Sequence, residues 1–168
     1  MSRDRSGAIV GGLVLIGLGI VLGLATWIGW DKLWPVFPLM VGLGFLVGYA
    51  AGGFKEEGLV FIGTLSTLLG LFFFGFTLGV WEWGDMSKLW PVFPLIVGAA
   101  FCALFLADRK HDLGVLGVGC AGVIVGIVGL AILYGLLGSG IVKLWPLLII
   151  LVGLIGLVGA LVRMFRRE

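Results

Sequence analysis

The segment KLWPVFPL at residues 32–39 recurs letter for letter at residues 88–95, and a third version, KLWPLLII, occupies residues 143–150. The three copies begin 56 and then 55 residues apart. Internal repetition at a fixed period indicates a tandem supersecondary unit, so it is the first constraint on the fold. Seven residues after the first proline of each copy lies a glycine preceded by valine: Gly42, Gly98 and Gly153.

The repeated segments lie in an unusually apolar chain. Of its 168 residues, 61% are hydrophobic and 12% are charged, whereas soluble domains carry about 25% charged residues. The charged residues form clusters that separate six apolar stretches, and a helix needs about 17–25 such residues to cross a bilayer. This composition excludes a soluble enzyme and a nucleic-acid binder, and two cysteines exclude a disulfide scaffold. The stretches lie near residues 8–28, 36–52, 59–80, 91–106, 114–138 and 146–162.

We therefore predict an all-α integral membrane protein with six transmembrane helices, arranged as three tandem helical hairpins. Residues 1–168 form a single membrane domain, with units at about 7–57, 58–112 and 113–168. Each unit is an outward helix, a short turn that carries the Trp-Pro signature, and a returning helix. The three hairpins can form a compact bundle or a row, and the sequence does not choose between them.

The repeated signature defines the candidate site. Its first proline suits the first helical position, where the missing N–H costs nothing, and its tryptophan suits the membrane interface. The lysine can reach lipid phosphates. The alternative interpretation is an extracellular recognition surface made of three tryptophan-bearing corners. The motif and interface residues are Lys32, Trp34, Pro35 and Gly42; Lys88, Trp90, Pro91 and Gly98; and Lys143, Trp145, Pro146 and Gly153.

The distribution of charge predicts the orientation. An even number of spans places both termini on one side with eight basic residues, against three on the other side. The positive-inside rule puts that basic side in the cytoplasm. All seven tryptophans then lie at the outer side. The apolar stretch near residues 8–28 lacks a small-x-small cleavage site, so we expect a retained span and not a signal peptide.

Glycines spaced by four residues predict close helix packing, because small residues let two backbones approach. This packing can occur within the chain, in a homo-oligomer, or with a membrane protein partner. The pairs are Gly7/Gly11, Gly19/Gly23, Gly44/Gly48 and Gly122/Gly126.

Catalytic and ion-coupling residues are missing from the predicted spans. No Asp, Glu, Lys, Arg or His lies in the middle of any apolar stretch, which argues against ion-coupled transport. His111 is the only histidine, so a histidine-rich metal site is impossible. We expect no enzymatic activity, no cofactor, no metal and no nucleic-acid partner.

The Trp-Pro corner followed by a glycine about two turns later resembles the transmembrane region of the LiaI/LiaF-like bacterial cell-envelope stress proteins. Trp34-Pro35 with Gly42 carries the resemblance, as do the corresponding residues of the other two units. It implies a regulator or anchor in the bacterial plasma membrane that meets a sensor kinase or a phage-shock-type peripheral protein. Unlike the fuller LiaF arrangement, the sequence ends just after Arg167 without a soluble C-terminal domain, so we expect partners to meet the helices or the short inner loops.

The sequence thus predicts a non-enzymatic interaction, regulatory or anchoring module in the lipid bilayer, with envelope stress as its context. Two other functions fit the same composition. The chain can be an accessory subunit of a larger membrane complex, or a small transporter or channel for an uncharged or lipidic molecule.

Overall fold

The computed structural model describes residues 3–108 and 112–136, together with residues 150 and 153, and within α1 it describes the side chains at residue 12 and from residue 15 onward. Throughout this part of the chain the regular structure is helical. The helices are α1 (Arg3–Ile28), α2 (Trp30–Leu33), α3 (Val36–Ala51), α4 (Gly58–Thr77), a 3₁₀ helix (Trp83–Ser87), α5 (Val92–Ala107) and α6 (Leu113–Leu133).

Three segments are long and apolar enough to cross a membrane: Trp30–Ala51, Gly58–Thr77 and Leu113–Leu133. Two shorter apolar segments, Leu15–Ile28 and Val92–Ala107, accompany them. At a rise of 1.5 Å per residue, the 16-residue helix α5 is about 24 Å long, against a hydrocarbon core of about 30 Å. The five segments coincide with the first five predicted stretches, and the sixth, near residues 146–162, lies outside the described residues apart from residues 150 and 153.

Glycines end α4 and α6 in the same way, as Gly53 does after α3. Gly79 after α4 and Gly135 after α6 have φ values of 77° and 68°, a left-handed conformation that a side chain disfavours. The next residue then donates its N–H to a carbonyl five residues back, over 2.8 Å for Val80 and 2.9 Å for Leu136. This cap ends α6 at Leu133, earlier than the predicted limit of residue 138. The two caps are 56 residues apart, as the first two sequence repeats are.

Helices α3 to α6 pack in chain order, each antiparallel to the next. Trp34, just before α3, contacts Phe73 near the end of α4, with ring centroids 5.0 Å apart. Phe61 of α4 likewise contacts Phe101 of α5 at 4.7 Å. The starts of α3 and α5 therefore share one end of the fold with the ends of α4 and α6. We call this the tryptophan end, because six tryptophans lie there: Trp27, Trp30, Trp34, Trp81, Trp83 and Trp90.

A cluster of buried side chains lies near the tryptophan end. Phe72 and Phe76 of α4 pack with Leu89 and Ile96, and each of the four is at most 5% exposed. Phe72 contacts Phe93 at the start of α5 edge-to-face, with centroids 5.4 Å apart, a geometry that aromatic rings favour. Aromatic packing thus fixes the turn between α4 and α5, which is the second Trp-Pro corner.

The strongest packing does not follow the predicted hairpins. The most extensive helix contacts join α3 to α4 and α5 to α6, ahead of α4 to α5. Each of the two leading pairs joins the returning helix of one sequence unit to the outward helix of the next. Within the first unit, α1 contacts chiefly α2, and its apolar side chains Leu15, Ile16 and Trp27 are 69%, 62% and 92% exposed.

Candidate functional site

The signature prolines are packing residues at the tryptophan end. Pro35 and Pro91 are the largest side chains that are completely buried in the described chain. The helices begin one residue after them, at Val36 and Val92, so each proline occupies the N-cap and not the predicted first helical position. Its carbonyl accepts the first helical hydrogen bond, from Leu39 over 3.3 Å in the first copy. A cap needs this acceptor and does not need the missing N–H.

The other signature side chains lie nearer the surface. Trp34 is half-buried against Phe73, and Trp90 is 45% exposed. Lys32 and Lys88 are both exposed, as a role at the lipid headgroups requires. Of the predicted residues in the third unit, Lys143, Trp145 and Pro146 lie outside the described residues.

The signature glycines of the first two units form close helix interfaces. A Cβ atom built on Gly42 would meet the backbone nitrogen and hydroxyl of Thr67, and would lie 2.7 Å from the carbonyl oxygen of Gly63. A Cβ atom built on Gly98 would meet Val123 and lie 2.7 Å from the carbonyl oxygen of Gly119. Real Cβ atoms essentially never approach other heavy atoms closer than 3.0 Å. Only glycine therefore fits at these positions, where two helix backbones touch.

Both interfaces use one register. Leu39 lies one turn before Gly42 on α3, and a Cβ on Gly70 of α4 would lie 3.0 Å from the Leu39 Cα. In the second interface, a Cβ on Gly126 of α6 would lie 2.8 Å from the Cα of Leu95. Each residue of the second interface is 56 positions after its counterpart in the first. The sequence repeat is thus also a repeat of contacts in residues 36–133. The corresponding pairs are Leu39 and Leu95, Gly42 and Gly98, Gly63 and Gly119, Thr67 and Val123, and Gly70 and Gly126.

Sequence reasoning missed the α4 side of the first interface. Gly63 and Gly70 are seven residues apart, or about two helical turns, so a search for spacings of four does not find them. A usable signal was present, because Gly63 and Gly70 recur after 56 residues at Gly119 and Gly126. Thr67 lies between the glycines of the first interface, and its hydroxyl donates to the Gly63 carbonyl over 2.7 Å, which keeps this polar group satisfied inside the interface.

Glycine spacing alone did not distinguish packed from open faces. Gly122 and Gly126 pack against α5, as their spacing predicts. Cβ atoms built on Gly44 and Gly48 of α3, however, would meet no described atom within 4 Å. The same holds for Gly19 and Gly23 of α1, and for Gly153. The α1 pair Gly7/Gly11 lies among the residues whose side chains are not described.

The first two units differ at one pair of equivalent positions. Ala100 of α5 is 0% exposed, and it lies one turn after Ile96, which packs with Phe72 and Phe76 of α4. Its counterpart 56 residues earlier is Gly44 of α3, where an added Cβ would meet no described atom within 4 Å. The neighbour that would correspond to α4 is α1, which contacts chiefly α2. Among the described residues, the face of α3 at Gly44 therefore has no covering helix, whereas the equivalent position on α5, Ala100, is fully buried. We call Gly44, Val47 and Gly48 the open α3 face; Val47 is 66% exposed.

The described residues thus form an all-helical protein whose apolar helices are compatible with a multi-pass membrane protein. No family model, no curated protein and no solved structure matches the chain.

Proposed function

We propose that this chain is a non-enzymatic integral membrane protein that acts as an interaction or anchoring module, and that the open α3 face receives a transmembrane helix of a partner. The observation that carries the proposal is the contrast between fully buried Ala100 and its open counterpart Gly44. Glycine at such a face lets a second helix approach closely, and close approach is what stabilises helix pairs in lipid. The resemblance to the LiaI/LiaF-like proteins supports a role in the cell-envelope stress response.

The six-span architecture belongs to the same proposal. Residues 36–133 contain one packing unit twice, with equivalent glycines and equivalent helix ends. The third KLWP segment continues this register almost unchanged, which supports a third hairpin with a span near residues 146–162. Reporter fusions at Glu168 and near Asp85 test this arrangement. We expect the fusion at Glu168 in the cytoplasm and the fusion near Asp85 outside; signals from the same compartment refute the six-span count and the orientation.

A photo-crosslinking residue at Val47 tests the open α3 face. The matched control is the same residue at Leu106 of α5, which is 79% exposed but lies away from that face. In intact cells we expect a discrete protein adduct from Val47 and only lipid adducts from Leu106. An adduct of twice the chain mass identifies a second copy, and any other discrete mass identifies a different membrane protein.

A substitution that fills the face completes the experiment. Gly44→Leu places a side chain where no described atom lies within 4 Å, so the chain itself should fold normally. We expect Gly44→Leu to abolish the protein adduct at Val47. Lipid adducts alone at Val47 in the unsubstituted chain, or a protein adduct unaffected by Gly44→Leu, contradict the proposal.

A further inference from the structure

A cavity of about 270 Å³ opens at the tryptophan end, between the turn after α4 and the end of α6. Its floor is apolar and its remaining walls carry both signs of charge. Sites that enclose drug-sized ligands have about 300–1,000 Å³, so this cavity suits a small group and not a whole lipid. The lining residues are Trp81, Asp85, Lys88, Leu89, Leu133 and Tyr134.

The floor is held rigidly by the fold. Trp81 turns back onto α4, where its ring occupies the space that a side chain at Gly75 would need. The ring packs against Phe72 and Phe76, with centroid distances of 5.5 and 5.6 Å. Leu89 is 5% exposed. Because these groups are fixed by the core cluster, the cavity is a preformed feature of the second corner.

The polar wall is an ion pair. The Lys88 ammonium donates to the Asp85 carboxylate over 2.8 Å, and both side chains remain partly exposed, at 63% and 39%. The hydrogen bond and the charge of Lys88 lower the pKa of Asp85 below its ordinary value. The same contact raises the pKa of Lys88. At neutral pH the wall therefore presents one positive and one negative group side by side, with the Tyr134 phenol on the opposite helix.

We propose that this cavity binds the headgroup of a zwitterionic phospholipid with a primary ammonium, of the phosphatidylethanolamine type. An anion alone would meet Lys88 but also the adjacent Asp85 carboxylate, and a cation alone would face the reverse conflict. A zwitterion satisfies both side chains, with its phosphate at Lys88 and its ammonium N–H groups at Asp85. The position at the tryptophan end places the cavity at the level where lipid headgroups lie.

The corresponding corner of the first unit provides an internal control. Lys32 is the counterpart of Lys88 and is also exposed, but its acidic neighbour Asp31 corresponds to Ser87 and not to Asp85. Lys32 therefore offers a general attraction for phosphate without the acidic partner that Lys88 has in Asp85. If lysine at the membrane interface attracted lipid only in a general way, substituting Lys32 or Lys88 would reduce lipid retention equally. A specific site predicts a loss of retention only when Lys88 is substituted. The inference depends on the membrane location and is independent of any partner at the open α3 face.

Native mass spectrometry of the full chain tests the site. The chain is purified in mild detergent with an equimolar mixture of phosphatidylethanolamine, phosphatidylcholine and phosphatidylglycerol. We expect one phosphatidylethanolamine to be retained in preference to the other two lipids. Hydrogen bonds to charged groups are strong when sheltered and weaker when partly exposed, so Lys88→Gln should reduce this retention about threefold to tenfold. Asp85→Asn should shift the preference toward phosphatidylglycerol, because the remaining positive charge favours an anionic lipid.

The controls distinguish a specific site from a general attraction of lipid to the protein surface. Lys32→Gln should leave the lipid preference unchanged, and far-UV circular dichroism should show that all variants fold. Soluble phosphoethanolamine at millimolar concentration should not displace the lipid, because it lacks the acyl chains that anchor it in the bilayer. Equal retention of the three lipids, equal losses in Lys32→Gln and Lys88→Gln, or displacement by the soluble headgroup would each overturn the proposal.

Discussion

Replacing Gly42 by alanine directly tests whether backbone contact between α3 and α4 holds the first interface together. Gly44→Ala in the same helix is a matched control, since it makes the same chemical change two residues away. Replacing a helical glycine by alanine stabilises a helix by about 0.5–1 kcal/mol through backbone entropy. This gain is common to both variants and cancels when they are compared. What remains is the difference between a crowded and an open position.

The structure sets the size of that difference. The new Cβ at Gly42 would lie 2.7 Å from the Gly63 carbonyl oxygen, where an ordinary contact requires at least 3.4 Å. The helices must therefore separate by about 0.7 Å at the crossing, and a gap of 0.5–1 Å forfeits about a quarter to a half of each affected dispersion contact. Overpacking of this kind costs about 1–3 kcal/mol. At Gly44 no described atom lies within 4 Å, so no such cost arises.

Reversible unfolding in mixed micelles, with increasing sodium dodecyl sulfate and far-UV circular dichroism as the signal, measures both variants. We expect Gly42→Ala to unfold with a free energy about 1–3 kcal/mol below that of Gly44→Ala. The Gly44→Ala variant should be at least as stable as the unsubstituted chain. Equal unfolding free energies for the two variants would show that α3 and α4 do not meet at Gly42, and the shared register of the two interfaces would lose its physical basis.

Three further outcomes follow from the same geometry. Gly98→Ala should destabilise the chain by about the same 1–3 kcal/mol as Gly42→Ala in the same assay, because overpacking acts at an equivalent contact; a neutral effect would show that the second interface is looser than the first. Pro91 is fully buried, so Pro91→Ala should lower the unfolding free energy by about 1–2 kcal/mol. Pro94 is half-buried, so Pro94→Ala should lower it by less. Equal losses in the two variants would contradict a packing role for the N-cap proline. Because Lys88 lowers the pKa of Asp85 from 3.8, the ion pair is fully present above that ordinary value and is lost as the pH falls through the lower folded value. The lipid preference should therefore be constant between about pH 5 and 8, where a carboxylate stays ionised, and should disappear on stronger acidification; a preference that persists in acid would exclude Asp85 as its source.

The positions of the helices could be predicted from the sequence because charge and turn residues punctuate it. Charged residues flank the apolar stretches, and burying them in lipid is costly, so they mark the ends of the spans. Gly79 and Gly135 also mark helix ends, because glycine readily adopts the left-handed conformation that ends a helix. The prediction placed Pro35 and Pro91 one residue too far inside their helices, since proline is compatible with both the N-cap and the next position.

The partners of each helix face could not be predicted in this way. Gly44/Gly48 and Gly122/Gly126 have the same spacing, yet one pair is open and the other packs against α5. A spacing of four shows that one helix face consists of small residues. Whether another helix packs against that face depends on the tertiary arrangement. The return of Trp81 onto Gly75 was missed for a related reason, because the contact depends on a turn whose path no local pattern specifies.

The helix pairs with the most extensive contacts, α3 with α4 and α5 with α6, are not the hairpins of the sequence repeat. Each of the two glycine interfaces joins a returning helix to the outward helix of the following unit, and in both the following helix covers the signature glycine. The following helix is α4 for Gly42 and α6 for Gly98. At the open α3 face no described atom lies within 4 Å of a Cβ on Gly44, whereas Ala100 is fully buried. A partner helix at the first unit would therefore complete the packing that the second unit achieves by itself.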